Sequence, residues 1–154
     1  MIIEFHILIM ELCKPFFGEL FTIGNYSYIT QISSYKPRLE KVKESKDFYK
    51  IYKFNKLIAC VNLNYMFPIF TKDVRYLNYN DIDKFRTFKT LKEKSNYIAF
   101  LKFELQEINK KPITISAKYL YKNKYEKPDS SLSKRCLDYK RLEEACKTFD
   151  LLSL

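Results

Sequence analysis

Apolar and polar positions alternate along the front of this chain and recur at helical spacing along its back. Phe16 to Ile23 and Tyr26 to Ile32 are rich in aromatic and β-branched residues. Gly24-Asn25 separates them, and a two-residue link of this kind predicts a β-hairpin. Ser33-Ser34-Tyr35-Lys36-Pro37 follows, and Pro37 disfavours helix at Lys36, so this is an exposed extended segment or turn. The stretch from Lys36 to Lys56 opens as a loop. Phe48 to Lys53 then alternates as a strand, Asn55 marks a turn, and Leu57 to Leu63 reads as a buried strand. Pro68 limits Tyr65 to Phe70 to a strand end or sheet edge.

Behind this, Ile98, Leu101, Leu105 and Ile108 recur every three or four residues, which predicts one face of a helix over Leu91 to Asn109. Pro112 ends it. A second helix is expected over Ser116 to Lys124, then a loop at Pro128 to Ser131. Ser133 is expected to cap a last helix carrying Cys136, Leu142, Ala145 and Phe149. The apolar start, Met1 to Leu12, contains Glu4 and His6 and is too short to span a bilayer, so a buried strand or short helix is expected there. Strands first and helices later predict an α+β fold with an antiparallel sheet. The length, 154 residues, suits a single domain over 1–154.

Charge adds a partner class. Lys and Arg number 28 against 18 Asp and Glu, for a formal charge of +10. A surface this basic attracts polyanions, and phosphate contacts release counterions. Thirteen Tyr and thirteen Phe offer rings that stack on unpaired bases, which suits single-stranded RNA. The basic residues concentrate in two stretches. Arg38, Lys41 and Lys43 belong to the first. Lys118, Lys122, Lys134 and Arg135 belong to the second, with Tyr119, Tyr121 or Tyr125 available for stacking. These are the expected RNA-binding residues, flanking one groove. The other reading of the composition is codon bias in a structural interaction domain.

Several chemistries lack their parts. There is no Walker A loop, Gly-x-Gly-x-x-Gly, His-Glu-x-x-His or Gly-x-Ser-x-Gly motif. The lone His6 cannot supply paired histidines. Cys13, Cys60, Cys136 and Cys146 are scattered, so no metal site, no disulfide framework and no cofactor are expected, and the thiols suit a cytoplasmic protein. Hydroxyls and lysines remain. Ser33, Ser34 and Lys36 stand just after one strand, and Lys14 just before the preceding one. A short hairpin brings those two ends to one sheet edge. Two lysines and two hydroxyls there suit a phosphodiester: RNA is cut without metal when its own 2′-hydroxyl attacks phosphorus and the protein orients, neutralises and moves protons. The plain alternative is a solvated turn.

The ordered run Lys14-Pro15-Phe16-Phe17-Gly18, Ser33-Ser34-Tyr35-Lys36-Pro37 and Asn62-Leu63-Asn64-Tyr65-Met66-Phe67-Pro68-Ile69 resembles the ToxN/AbiQ family of type III toxin–antitoxin toxins. Leu101-Lys102-Phe103-Glu104-Leu105-Gln106-Glu107-Ile108 is similar to that family's long helix, and Leu142-Glu143-Glu144-Ala145-Cys146 to its closing one. The resemblance implies a compact, strongly twisted antiparallel sheet, partly barrel-like, with helices packed around it and concentrated in the C-terminal half. It implies RNA cleavage leaving a 2′,3′-cyclic phosphate, restraint by a repeat RNA folded as a pseudoknot, closed toxin–RNA rings and a role against phage. By position it places the catalytic hydroxyl pair on Ser33 and Ser34 and the lysines on Lys36 and Lys14. The chain departs from the pattern at Tyr35, where the family has proline, at Met10, often tyrosine in the family, and in its first strand. A catalytically inactive relative that binds RNA is the alternative.

Overall fold

The computed structural model describes residues 6–7 and 16–152. Its elements run β1 (His6–Ile7), β2 (Phe16–Ile23), β3 (Tyr26–Ser34), α1 (Pro37–Glu40), β4 (Phe48–Lys53), β5 (Lys56–Asn62), β6 (Phe67–Phe70), α2 (Leu91–Asn109), α3 (Ile113–Glu126), α4 (Ser131–Arg135) and α5 (Tyr139–Leu152). Strands precede helices, and the fold is α+β, with a curled antiparallel half-barrel.

β3 is the spine of the sheet. The order is β1-β2-β3-β5-β4, and β6 also pairs with β3. The two halves of β3 have different neighbours. Tyr26–Ile29 pairs with Phe70–Phe67, whereas Ile32–Ser34 pairs with Val61–Ala59. One strand serving two partners in succession must twist, and this curls the sheet. Gly24, at φ +55°, makes the β2–β3 turn, a conformation that side chains with a Cβ rarely adopt. Pro68 sits in β6, where a missing N–H costs least. α5 packs on that strand, and the Cys146 thiol donates to the Pro68 carbonyl (3.3 Å).

Tyr26 to Thr30 of β3 is buried throughout. Its polar groups are paired: Thr30 donates to the Asn62 carbonyl, Ser27 bonds Thr71, and Tyr28 donates to Glu143 Oε1 (2.6 Å). Around them lies the main core, with Leu20, Ile51, Val61, Leu63 and Met66 facing Leu105, Ile108, Ile113, Ala117 and Leu120. A smaller cluster of Leu77, Ile82 and Leu101 ties the chain before α2 to that helix's first half.

The helix over Leu91–Asn109 has the expected bounds, with Leu101, Leu105 and Ile108 on its buried face. The Thr90 hydroxyl accepts from the Glu93 N–H, and the Glu93 carboxylate accepts from the Lys89 N–H, satisfying two amides at its start. Other expectations need correction. The segment after Lys36 is not all loop: Pro37 stands at the first position of a helical turn, α1, while Lys36 is extended (φ −141°, ψ 138°). The second helix begins at Ile113, directly after Pro112. Ser130, not Ser133, is the cap, and it caps the separate α4; Ser133 is buried and donates to the Asn123 carbonyl. Cys136 lies just past α4, and Leu142, Ala145 and Phe149 lie on α5. Of Met1 to Leu12, only His6–Ile7 is described, paired with Phe17 and Phe16.

Candidate active site

The last residues of β3 leave the crowded part of the sheet. Past Thr30 the strand passes from fully buried to half-exposed at Ile32 and Ser33, then exposed at Ser34 and Lys36. α2 and the chain leading into it cross nearby. Between them lies a pocket of about 420 Å³, lined by Ser33, Ser34 and Lys36 and by Arg86, Tyr97 and Glu104. Three of the four residues singled out from the sequence therefore share one pocket. The fourth, Lys14, lies outside the described residues, as does Met10. Tyr35 does not line the pocket. Its hydroxyl donates to Glu40 Oε1 (2.8 Å), and its N–H donates to the Ile58 carbonyl, extending the β5 pairing.

Two pocket residues escaped the sequence reading. The guanidinium of Arg86 lies over the ring of Tyr97, 4.2 Å from its centroid, and faces Phe88 at 5.6 Å. Stacking holds this cation flat without consuming its N–H groups. Glu104 is only 5 % exposed, and none of the described hydrogen bonds or ion pairs involves it. Burial pushes its carboxyl up to about 7. A signal for Glu104 was present: it stands three residues after Leu101 and four before Ile108, an acid on the apolar face of a helix. Arg86 had none, since the turns between Thr71 and Phe88 follow no period.

The expected RNA-binding residues divide. Arg38, Lys41, Lys43, Lys118 and Lys134 are exposed. Lys122 is exposed and lies 3.5 Å from Glu126. Arg135 is exposed as well, and its Nε and Nη2 donate to Asp47 Oδ2 at 3.1 and 2.8 Å. Lys124, between Lys122 and Lys134 in the chain, donates to the Ser133 and Cys136 carbonyls at the end of α4. The two stretches do meet, for Lys46 lies over the ring of Tyr119 at 4.4 Å. Of the three tyrosines, only Tyr119 offers an exposed ring. Tyr121 stacks on Tyr139 and donates to Glu143, and burial pushes its hydroxyl up to about 12. Tyr125 is tied to Asp138 and Lys140. Two of the three thus pack partly buried against their neighbours.

Asp47 offers a contrast to Glu104. It too is buried, at 2 % exposure, and desolvation pushes its carboxyl up. Donors from Ser45, Asn64 and Arg135 outweigh this and hold it below the usual carboxylate range. The network joins the start of β4 to Asn64 and α4, and so knits the fold.

The chain is thus an α+β half-barrel whose central strand ends in two serine hydroxyls and a lysine at a pocket. The ToxN toxin model of type III toxin–antitoxin systems matches residues 10–147, and the chain belongs to that family. Among solved structures it is similar to AbiQ, a lactococcal anti-phage endoribonuclease of a type III system. That likeness has 17% identity and a TM-score of 0.67, and covers 89% of this chain and 80% of that one. A bacterial type III toxin described as selectively inhibited by a non-coding RNA pseudoknot matches at 19% identity and TM-score 0.67, with the same coverage. A third, from a bacterial antiviral system regulated by a processed non-coding RNA, matches at 21% and 0.65, covering 87% of this chain and 78% of that one. No curated protein sequence matches. At these identities the solved structures establish the shared fold.

Proposed function

We propose that this chain, acting as one domain over 1–154, is a metal-independent endoribonuclease toxin that works in the cytoplasm as part of a defence against phage. It cuts RNA by 2′-hydroxyl attack, leaving a 2′,3′-cyclic phosphate and a 5′-hydroxyl. A repeat RNA folded as a pseudoknot restrains it in a closed toxin–RNA ring. The family supplies the toxin class, and the similar structures carry the anti-phage ribonuclease and pseudoknot descriptions.

The observation that carries this reading is the pocket that Ser33, Ser34 and Lys36 line together with Arg86. Cleavage places a second negative charge on the phosphoryl oxygens as the 2′-oxygen approaches. Preorganised donors and cations stabilise that charge more than they stabilise the ground state. The exposed Ser34 hydroxyl donates to the scissile phosphate. Lys36 and Arg86 neutralise the developing charge, with Lys14 as a second lysine. These cations supply what a metal would otherwise provide. Exposed lysines of the two basic stretches hold the antitoxin RNA through its phosphates.

The test is cleavage of RNA in excess EDTA, with end-group analysis of the fragments. We expect full activity and cyclic phosphate ends. Ser34→Ala and Lys36→Ala should each lower the rate by ~10²–10³-fold, the usual cost of one lost donor to an oxyanion, with repeat-RNA binding and thermal melting retained. Loss of activity in EDTA, 5′-phosphate ends, or a fully toxic Ser34→Ala/Lys36→Ala double variant would reject the mechanism. A well-folded protein that binds the repeat RNA and cuts nothing would be an RNA-binding relative.

A further inference from the structure

Attack by a 2′-hydroxyl needs a group to take its proton. Ammonium and guanidinium groups such as those of Lys36 and Arg86 donate and do not accept, and a serine hydroxyl is a poor acceptor. Among the described residues, Glu104 is the one carboxylate lining the pocket. It is nearly fully buried on the inner face of α2, within a turn of Leu101 and Ile108, and no described group donates to it. A buried carboxyl serving only the fold is normally saturated with donors, as Asp47 is. Glu104 is held in place by packing and left open on the pocket side.

We propose that Glu104 is the general base of this site: its carboxylate takes the proton from the 2′-hydroxyl as that oxygen attacks phosphorus. The inference rests on the ribonuclease reading above. The bond between the 2′-oxygen and phosphorus forms as the bond from phosphorus to the 5′-oxygen breaks. The 2′-proton passes to Glu104, and the departing 5′-oxygen takes a proton from the Lys36 ammonium. Exchange with water then returns both groups to their starting charges. The polar and charged groups that line the pocket with Glu104 are Ser33, Ser34 and Lys36 from the β3 end, Arg86 from the turn before α2, and Tyr97 from α2 itself. Lys53 of β4 stands over the neighbouring Phe103 ring at 5.2 Å. Burial nonetheless places the Glu104 carboxyl at about 7, where an acceptor is both substantially ionised and basic enough to be useful.

The experiment is a pH–rate profile of RNA cleavage by the full-length wild-type, Glu104→Gln and Glu104→Asp proteins. Repeat-RNA binding and thermal melting are measured in parallel. In the wild type the rate should rise with pH and level off above about 7, the position of the carboxyl. Glu104→Gln should lose ~10²-fold or more, the usual share of a general base, and should lose the acidic limb, with RNA binding unchanged. Glu104→Asp keeps a carboxylate and should keep the limb at a reduced rate. Carboxyl ¹³C signals of glutamate-labelled wild-type protein should include one titrating near 7 that is missing from Glu104→Gln. A Glu104→Gln enzyme with the wild-type rate, or with a lower rate but the same acidic limb, overturns the assignment and leaves the ribonuclease reading standing. A wild-type protein that binds the repeat RNA and cuts none at any pH overturns both. If Glu104→Gln fails to fold, an Asp variant without the limb overturns the proposal by itself.

Discussion

Asp47 and Glu104 are buried to a similar depth, and their surroundings differ in one respect. Asp47 has Ser45, Asn64 and Arg135 arranged around its oxygens, and their donation outweighs burial. Glu104 has packing and an open pocket, and burial alone sets its state. The first arrangement knits strand, turn and helix. The second leaves a carboxyl poised to change charge near neutrality, which a fold has no reason to maintain for stability alone. The same division runs along β3. Its Tyr26–Thr30 half has its polar groups paired inside the core, and its Ser33–Ser34 end presents hydroxyls to a pocket.

The largest expected break in this comparison is Asp47→Ala. It leaves the Asn64 amide without its carboxylate partner and frees Arg135, and should cost about 3 kcal/mol of stability, read by urea unfolding. Cleavage by the remaining folded protein should change little. Stability within about 0.5 kcal/mol of wild type, the ordinary range of a surface substitution, would show that the network does not hold the fold together.

Glu104→Gln should act in the opposite direction and with a characteristic pH dependence. The folded carboxyl is raised from 4.5 to about 7, so the native state holds a proton that the unfolded chain has released. Its contribution to stability is therefore fully present below about 4.5 and is lost as pH rises toward 7. Glutamine removes that slope. Between about pH 4.5 and 8 the variant should gain on the wild type by roughly 2–3 kcal/mol, slightly under the full ~1.36 kcal/mol per unit because the pocket admits water. A pH-independent difference between the two proteins would place the ionised carboxylate in a solvated or paired environment. Asp47 predicts the reverse sign in a lower window. Its depressed carboxyl contributes above about pH 4, and that contribution is lost on further acidification.

The smallest stability effect is expected from the exposed cations. Reversing Lys118, Lys122 and Lys134 together should leave unfolding within about 0.5 kcal/mol per site, since surface pairs are weak. Repeat-RNA affinity should fall, and its salt dependence should flatten by nearly one unit for each phosphate that is no longer neutralised. Unchanged affinity and slope would place the RNA surface elsewhere.

Much of this molecule was determined locally by its sequence. The Gly24 turn, the strands Phe16–Ile23 and Phe48–Lys53, and the helix Leu91–Asn109 follow from turn chemistry and period, which are properties of neighbouring residues. Ser33, Ser34 and Lys36 were legible for the same reason: they are adjacent in the chain, and one strand end carries them together. Tertiary structure decided which charges and rings remained free. Arg135 reads as an unpaired cation in the sequence, and the fold gives it Asp47 as a partner; Tyr121 reads as a free ring, and the fold seats it against Tyr139 and Glu143. It also decided that Arg86 and Glu104, far from the serines in sequence, line the same pocket. A residue's partners and its distance from water depend on what the rest of the chain packs against it. No local pattern contains that information, and it is what separates a knitting carboxylate from a titrating one.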